Sequence, residues 1–132
     1  MAGKRAWVWI LLGALSAGAA VALGAIGVHV AAEGSQEQAW MQTAQRYQMP
    51  HALGLVIIGA IALQRPGRLA DLAGLALVLG SLCFSGGLYL QAFSIVNLGA
   101  VVPVGGTLLI LGWLALAGHA IRALSAQGPG VS

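Results

Sequence analysis

Four apolar stretches make up most of this chain, and no Asp, Glu, Lys or Arg lies in the interior of any of them. A helix rises about 1.5 Å per residue, so about 20 residues are needed to cross the roughly 30 Å of hydrocarbon in a bilayer. Residues 6–30, 72–93 and 100–121 reach that length directly. The second span, residues 44–63, reaches it only by starting near Ala44, with Arg46 and Tyr47 at the membrane interface. The sequence therefore predicts an all-α fold, an integral membrane four-helix bundle.

The composition supports this class. Charged residues are 7% of the 132 residues and apolar residues are 59%. Because about a quarter of the residues in a soluble domain are charged, a soluble domain is excluded. The single cysteine, Cys83, cannot form an internal disulfide, which excludes a disulfide-stabilised secreted module. We expect one transmembrane domain over residues 1–124 and a disordered tail over residues 125–132.

Basic residues predict the orientation of the spans. One side of the membrane receives Lys4, Arg5, Arg65, Arg68 and Arg122, whereas the other receives only Arg46. Because cytoplasmic loops carry the excess of Lys and Arg, both termini should be cytoplasmic, in the inner (plasma) membrane. We expect the lipid bilayer as a partner and no nucleic acid, since the basic residues form no dense patch. A cleavable signal peptide is the alternative for the first span, although its 25 apolar residues exceed the usual 7–15.

The only sizeable polar segment, residues 33–48, joins the first two spans. Ser35 followed by Gln38 indicates a capping box, and Glu37 favours a helix N-terminus. The spacing of Trp40, Ala44, Tyr47 and His51 predicts an amphipathic helix on the outer surface that continues into the second span. Pro50 should bend it there.

Small residues should supply the contacts between helices, because apolar surface alone does not drive association in lipid. Ala14, Gly18 and Ala22 recur at four-residue spacing in the first span, as do Gly13 and Ala17. The candidates for helix packing or hinges are Gly18, Gly24, Gly27, Gly86, Pro103, Gly105 and Gly106.

The remaining polar residues cluster toward the predicted outer side. This candidate ligand-binding or polar cluster consists of His29, Tyr47, Gln48, His51, Ser85 and Tyr89. The alternative is that these are interfacial residues, because Tyr and His are stable at the headgroup level. No span contains the carboxylate that a cation-coupled exporter usually needs. No catalytic constellation is visible, and no CxxCH motif or zinc-ligand spacing is present, so we expect no enzyme, no cofactor and no metal.

The order of several short motifs resembles a known family. The motifs are ALGAIGVH (22–29), WMQTAQRYQMPH (40–51), FSGGLYL (84–90), PVGG (103–106) and GW (112–113). Over residues 12–121 they resemble the small YgdD/YwdK-like bacterial inner-membrane proteins, a domain of unknown function with a small eukaryotic transmembrane relative. The resemblance implies four spans and a retained first helix, and it implies no activity. Pro50 and Gly87 depart from the commoner pattern. The matching residues are Gly24, Gly27, His29, Trp40, Thr43, Tyr47, Gln48, His51, Ser85, Gly86, Tyr89, Pro103, Gly105, Gly106, Gly112 and Trp113.

Three functional hypotheses follow. The first is a membrane protein whose outer polar cluster binds a small molecule, a lipid headgroup or a partner helix. The second is a small oligomeric transporter or permeation unit. The third is an assembly or scaffold subunit of a membrane complex, with a homo-oligomer or another membrane protein as its partner.

Overall fold

The computed structural model describes residues 1–128, and this part of the chain forms four helices. They are α1 (Ala2–Val30), α2 (Gln36–Gln64), α3 (Arg68–Ala92) and α4 (Val101–Ala126). Each is long and apolar enough to cross a membrane. The predicted all-helical, four-span fold is therefore confirmed, and the orientation of the termini stays a prediction.

Helix α2 lies at the centre of the bundle and holds ten of the 25 buried residues in the described part of the chain, more than any other helix. It begins where the sequence predicts a cap, because the Ser35 hydroxyl accepts a hydrogen bond from the backbone N–H of Gln38 at 3.2 Å. The Gln38 side chain in turn accepts a 2.8 Å hydrogen bond from the backbone N–H of Gly34. From this cap α2 continues through Pro50 without interruption. The predicted amphipathic segment is its first half, and its position relative to the membrane surface stays a prediction, as does a bend at Pro50.

Helix α1 packs against α2 through close approach of the two backbones. A Cβ atom at Gly13 would lie 2.6 Å from the carbonyl oxygen of Ala52, and a Cβ at Gly59 would lie 2.6 Å from that of Ala6. Gly18, which the four-residue spacing suggested for packing, has nothing within 4 Å of its Cβ position. The contact therefore runs along the neighbouring face of α1, because only the Gly13 side approaches α2.

Helices α3 and α4 pack against each other and against α2. Their shared core with α2 is formed by Leu55, Ile58, Ala73, Leu77 and Leu109. Residues Leu82–Gly86 of α3 form a π-helical segment, which widens the helix locally. The N-terminal part of α4 packs on this segment at Gly105, where a Cβ would clash with the backbone N of Phe84.

The N-terminal ends of α1 and α3 are joined by a carboxylate. Helix α3 begins at Arg68, four residues before the predicted boundary at Leu72, so Asp71 lies in its first turn. The Asp71 carboxylate is 2.7 Å from the Arg5 guanidinium and accepts a 3.1 Å hydrogen bond from the Trp9 indole N–H. Asp71 thus lies at the end of this helix, one residue before the predicted span 72–93, and not in the interior of a span.

Helix α4 ends beyond the predicted boundary between the transmembrane domain and the tail. Helix α4 extends to Ala126, so residues 125 and 126 are helical, and the Ser125 hydroxyl donates a 3.1 Å hydrogen bond to the carbonyl of Ile121. Residues 129–132 of the predicted tail lie outside the described residues.

Candidate functional site

A chain of hydrogen bonds joins three helices in the interior of the bundle. The Tyr89 hydroxyl of α3 donates to the side-chain oxygen of Gln48 at 2.6 Å. The amide nitrogen of Gln48 then donates to the backbone carbonyl of Ser16 in α1 at 3.0 Å. Beside this chain, the Ser85 hydroxyl donates to the carbonyl of Ala44 at 2.8 Å. These bonds use the donors of three of the predicted cluster residues, Gln48, Ser85 and Tyr89, to hold the helices together.

These polar groups lie deeper than the sequence suggested. Ser16 is at the midpoint of α1, and Gln48 lies near the middle of α2. The sequence placed Gln48 near the outer end of its span because the polar residues before Ala44 were assigned outside it. In the structure α2 begins eight residues earlier, at Gln36, and its first half packs along α1. The contact of Gln45 with Gly24 and that of Met41 with Gly27 show this alignment.

A cavity of about 250 Å³ lies between α1, α2 and α3 beside the hydrogen-bond chain. Its polar lining comes from Ser16, Gln48, Ser81, Ser85 and Tyr89, and the rest is Leu12, Leu23, Leu55, Val78, Leu82 and Gly86. No charged side chain lines it. Leu82 on its rim is 64% exposed, so the cavity reaches the surface of the bundle.

Ser81 differs from the other polar residues of the cavity. Its hydroxyl is shielded from solvent and has no hydrogen-bond partner among the described residues. A serine in a helix often donates to the carbonyl of the preceding turn, and Ser81 does not. It is therefore the one polar side chain of the cavity lining that is both shielded and unpaired in the part of the chain that the structure describes.

His51 and Tyr47 lie on a different side of α2. The His51 imidazole is 8% exposed and packs with its ring centroid 6.0 Å from that of Trp113 in α4. Its Nδ1 donates to the carbonyl of Tyr47, because a carbonyl can only accept. Tyr47 is 44% exposed, with its ring 4.8 Å from that of Phe84. Neither residue lines the cavity.

The structure does not bring His29 into the cluster. His29 is exposed at the C-terminal end of α1, and none of the side-chain hydrogen bonds between described residues includes it. The predicted cluster is thus divided into a cavity group, the pair Tyr47 and His51 packed on Phe84 and Trp113, and one isolated histidine. Within residues 1–128, no three His, Cys, Asp or Glu side chains are grouped as metal ligands would be.

The predicted packing and hinge residues also fall into separate places. Gly24 and Gly27 lie against α2, and Gly105 lies against the π-helical segment. Gly106 makes only ordinary contact with the Phe84 ring, at 3.6 Å. The carbonyl of Pro103 accepts a 3.1 Å hydrogen bond from Thr107. Gly86 lines the cavity and, like Gly18, has nothing within 4 Å of its Cβ position.

Sequence reasoning missed the roles of Ser16 and Ser81. Neither was among the candidate residues: Ser16 lies within an apolar stretch, and Ser81 lies four positions before Ser85 in another. The sequence signal that could have identified them is their position near the middle of spanning helices. A polar side chain there is energetically unfavourable unless it has a hydrogen-bond partner or a function.

These observations define a small multi-pass membrane protein whose helices are joined at mid-depth by hydrogen bonds and enclose an uncharged cavity. The chain belongs to the family described as protein of unknown function DUF423, whose model matches residues 23–106. This confirms the family resemblance of its motifs.

Individual relatives are similar over most of their length. A UPF0382 membrane protein from Staphylococcus epidermidis is 44% identical over 83% of this chain and 91% of the relative. YwdK of Bacillus subtilis, a UPF0382 membrane protein, is 36% identical over 89% of this chain and 98% of the relative. YgdD of Escherichia coli, a UPF0382 inner membrane protein, is 38% identical over 86% of this chain and 88% of the relative. No solved structure matches the chain.

Proposed function

We propose that this membrane protein binds an uncharged, lipophilic small molecule in the cavity between α1, α2 and α3. The observation that carries the proposal is the Ser81 hydroxyl, which is shielded and has no hydrogen-bond partner among the described residues. It lines a cavity in which the polar side chains of Gln48, Ser85 and Tyr89 are all hydrogen-bonded. An unpaired polar group in such a place is unfavourable, and a ligand carbonyl or hydroxyl would satisfy it.

The lining defines the chemistry of the ligand. Charged ligands are disfavoured, because no charged side chain is present to compensate the loss of their hydration. The donors of Gln48, Ser85 and Tyr89 are already used, whereas the Ser81 hydroxyl has no partner among the described residues and is available to orient a ligand. The expected ligand has an apolar body and one hydrogen-bonding oxygen.

The route of entry fits a ligand dissolved in the bilayer. The cavity lies near the middle of the helices, and its rim at Leu82 is exposed on the lateral surface of the bundle. A lipophilic molecule would enter sideways from the hydrocarbon without crossing the headgroup region. Catalysis has no support in this lining, so we propose a binding protein and not an enzyme.

Native mass spectrometry of the protein, extracted gently from its own membrane, tests this proposal. We expect a reproducible extra mass that is lost in Ser81→Leu, because the leucine side chain fills the cavity and removes the hydroxyl. In Ser81→Ala, which removes only the hydroxyl, the bound fraction should fall about three- to tenfold.

Two control variants define where the site is. Thr107→Leu makes the same kind of replacement at an exposed position on α4 and should keep the extra mass. His51→Ala should also keep it, because His51 does not line the cavity. Loss of the mass in His51→Ala with retention in Ser81→Leu would assign the ligand to the Tyr47–His51 side instead. A bare wild-type protein would overturn the proposal.

The other two hypotheses from the sequence, an oligomeric transporter and an assembly subunit, stay predictions. The uncharged cavity favours neither over binding.

A further inference from the structure

A second cleft, of about 380 Å³, lies at the inner end of the bundle, away from the mid-depth cavity. It is formed by the α2–α3 turn and the last turns of α4, and three arginines line it: Arg65, Arg68 and Arg122. No carboxylate lines it, and none of these arginines is in an ion pair among residues 1–128. The one ion pair there joins Arg5 to Asp71. The cleft thus concentrates half of the six basic residues of the chain without compensation.

His119 forms one wall of this cleft. Its ring lies against Gly67 in the α2–α3 turn, where a Cβ would be 2.8 Å from the imidazole Cε1. Glycine at this position therefore lets the turn and α4 approach closely enough to shape the cleft. The His119 Nε2 atom is shielded and has no hydrogen-bond partner among the described residues. One polar atom in the wall is thus unsatisfied by the protein itself.

An apolar groove of about 620 Å³ continues from the cleft along α2 and α4. Arg65, His119 and Ala123 belong to both the cleft and the groove, so the two are adjoining spaces. Beyond these shared residues the groove is lined mainly by apolar side chains: Ile61, Trp113, Leu116, Ala117, Ala120 and Leu124. The groove therefore extends toward the membrane interior from a basic opening at the helix ends.

We propose that this cleft and groove bind one anionic phospholipid, with its phosphate among the three arginines and an acyl chain along the groove. Arginine presents planar N–H donors that match phosphate oxygens. Basic pockets between helices on the cytoplasmic side are suited to anionic headgroups. A free phosphate ion would satisfy the arginines but would leave the adjoining apolar groove unused, which is why a lipid fits the whole surface better.

The positive-inside bias places the cleft in the cytoplasmic leaflet, where anionic lipids are available. The lipid site shares no lining residue with the cavity beside Ser81, so the two proposals stand or fall independently.

Lipid-binding native mass spectrometry on the purified full chain in detergent tests the proposal. The probes are phosphatidylglycerol and phosphatidylcholine of identical acyl chains, each titrated separately. We expect one phosphatidylglycerol to bind in preference to phosphatidylcholine. The double variant Arg65→Gln/Arg122→Gln should weaken phosphatidylglycerol binding about tenfold or more, because each substitution removes a charge-assisted hydrogen bond to the phosphate. This variant keeps three basic residues on the inner side against one outside, so its orientation should persist.

The matched control is Lys4→Gln/Arg46→Gln, which removes the same charge away from the cleft and should leave phosphatidylglycerol binding unchanged. Should the double glutamine variant fail to fold, Arg65→Lys/Arg122→Lys keeps the charge and removes the planar donors. Its phosphatidylglycerol binding should still weaken several-fold. Equal binding of the two lipids by the wild type, or equal loss in the control, would overturn the proposal.

A groove variant separates the lipid from a phosphate ion. Ala120→Phe places a large side chain in the groove and should weaken phosphatidylglycerol binding, whereas excess inorganic phosphate should not displace the lipid. If phosphate displaces it and Ala120→Phe has no effect, the cleft is a phosphate site and the lipid assignment is wrong.

Discussion

Tyr89 and Gln48 are 41 residues apart in sequence, and the Tyr89 hydroxyl donates a 2.6 Å hydrogen bond to the Gln48 side-chain oxygen inside the bundle. Because Gln48 also bonds to Ser16, this one amide side chain connects α1 to α3 through α2. Helices in lipid gain little from burying apolar surface, so such bonds and close backbone contacts determine how they associate. The same bonds define one wall of the proposed binding cavity.

Removing the Tyr89 hydroxyl should destabilise the bundle measurably. Tyr89→Phe leaves the Gln48 oxygen unpaired in a buried place, and we expect a loss of about 0.5–2 kcal/mol in the free energy of unfolding. Denaturation in mixed detergent micelles would measure it. Tyr47→Phe is the matched control, because Tyr47 is half-exposed and its hydroxyl has no hydrogen bond among the described residues. Equal effects of the two changes would mean that the Tyr89–Gln48 bond contributes nothing.

A pair of glycines in α1 tests which of the two small-residue faces of this helix contacts α2. Gly13→Ala places a Cβ 2.6 Å from the Ala52 carbonyl oxygen and 2.8 Å from the Val56 side chain, and should cost about 1–3 kcal/mol of stability. Gly18→Ala meets nothing within 4 Å and should stabilise by up to about 1 kcal/mol, because alanine favours the helix. Thermal unfolding compares them directly. A loss of stability in Gly18→Ala would indicate that this glycine packs against another chain.

The fold was predictable because membrane spans are encoded by length and apolarity alone. Residues 6–30 and 100–121 became helices with little adjustment, since a backbone in lipid has to satisfy its own hydrogen bonds and does so as a helix. Helix ends were harder to predict. The α2 start depends on the Ser35 cap, and Asp71 is included in α3 because Arg5 and Trp9 stabilise its carboxylate.

The site was only partly predictable, because residue type does not show which face of a helix meets which neighbour. Gln48, Ser85 and Tyr89 were identified as polar residues in apolar surroundings, and their mutual contacts became visible only in three dimensions. His51 has the same polarity and faces α4, since it is turned away from the Gln48 face on α2. Which polar residues of α2 meet α1 also depends on the register, that is, on how far one helix is shifted along the other. The periodicity of the sequence does not specify that register.

The contact of α4 with the π-helical segment provides a further test. At Gly105 a Cβ would clash with the backbone of Phe84 and lie 2.9 Å from the Cβ of Cys83, so Gly105→Ala should cost about 1–3 kcal/mol. Gly106→Ala would make ordinary contact, 3.6 Å from the Phe84 ring, and should change stability by less than about 1 kcal/mol. Unfolding midpoints in detergent would separate the two. Similar midpoints would contradict the close packing of α4 on this segment.

The carboxylate of Asp71 should stabilise the folded bundle in two ways, through its ion pair with Arg5 and through the hydrogen bond that it accepts from Trp9. In Asp71→Asn only the ion pair is lost, and because the Arg5 side chain is 60% exposed we expect a loss of at most about 1 kcal/mol. Asp71→Leu also removes the acceptor for the Trp9 indole and should cost more. Unfolding at low and high salt distinguishes the two contributions. The wild type and Asp71→Asn should converge at high salt, where the exposed pair is screened, and a constant difference would contradict this explanation.

Cysteine labelling tests the orientation that the basic residues predict. Cys83→Ala gives a background without cysteine, because Cys83 is the single cysteine of the chain. In this background Glu33→Cys and Asn97→Cys introduce thiols into the two loops at the end of the bundle opposite Arg65 and Arg122, and Gln127→Cys introduces one after α4. With five basic residues on the inner side against one outside, a membrane-impermeant maleimide should label the two loop cysteines in intact cells. It should label the cysteine at position 127 only after permeabilisation. The reverse pattern would place the arginine cleft on the outer side of the membrane. It would then no longer face the cytoplasmic leaflet, from which an anionic lipid is expected to bind.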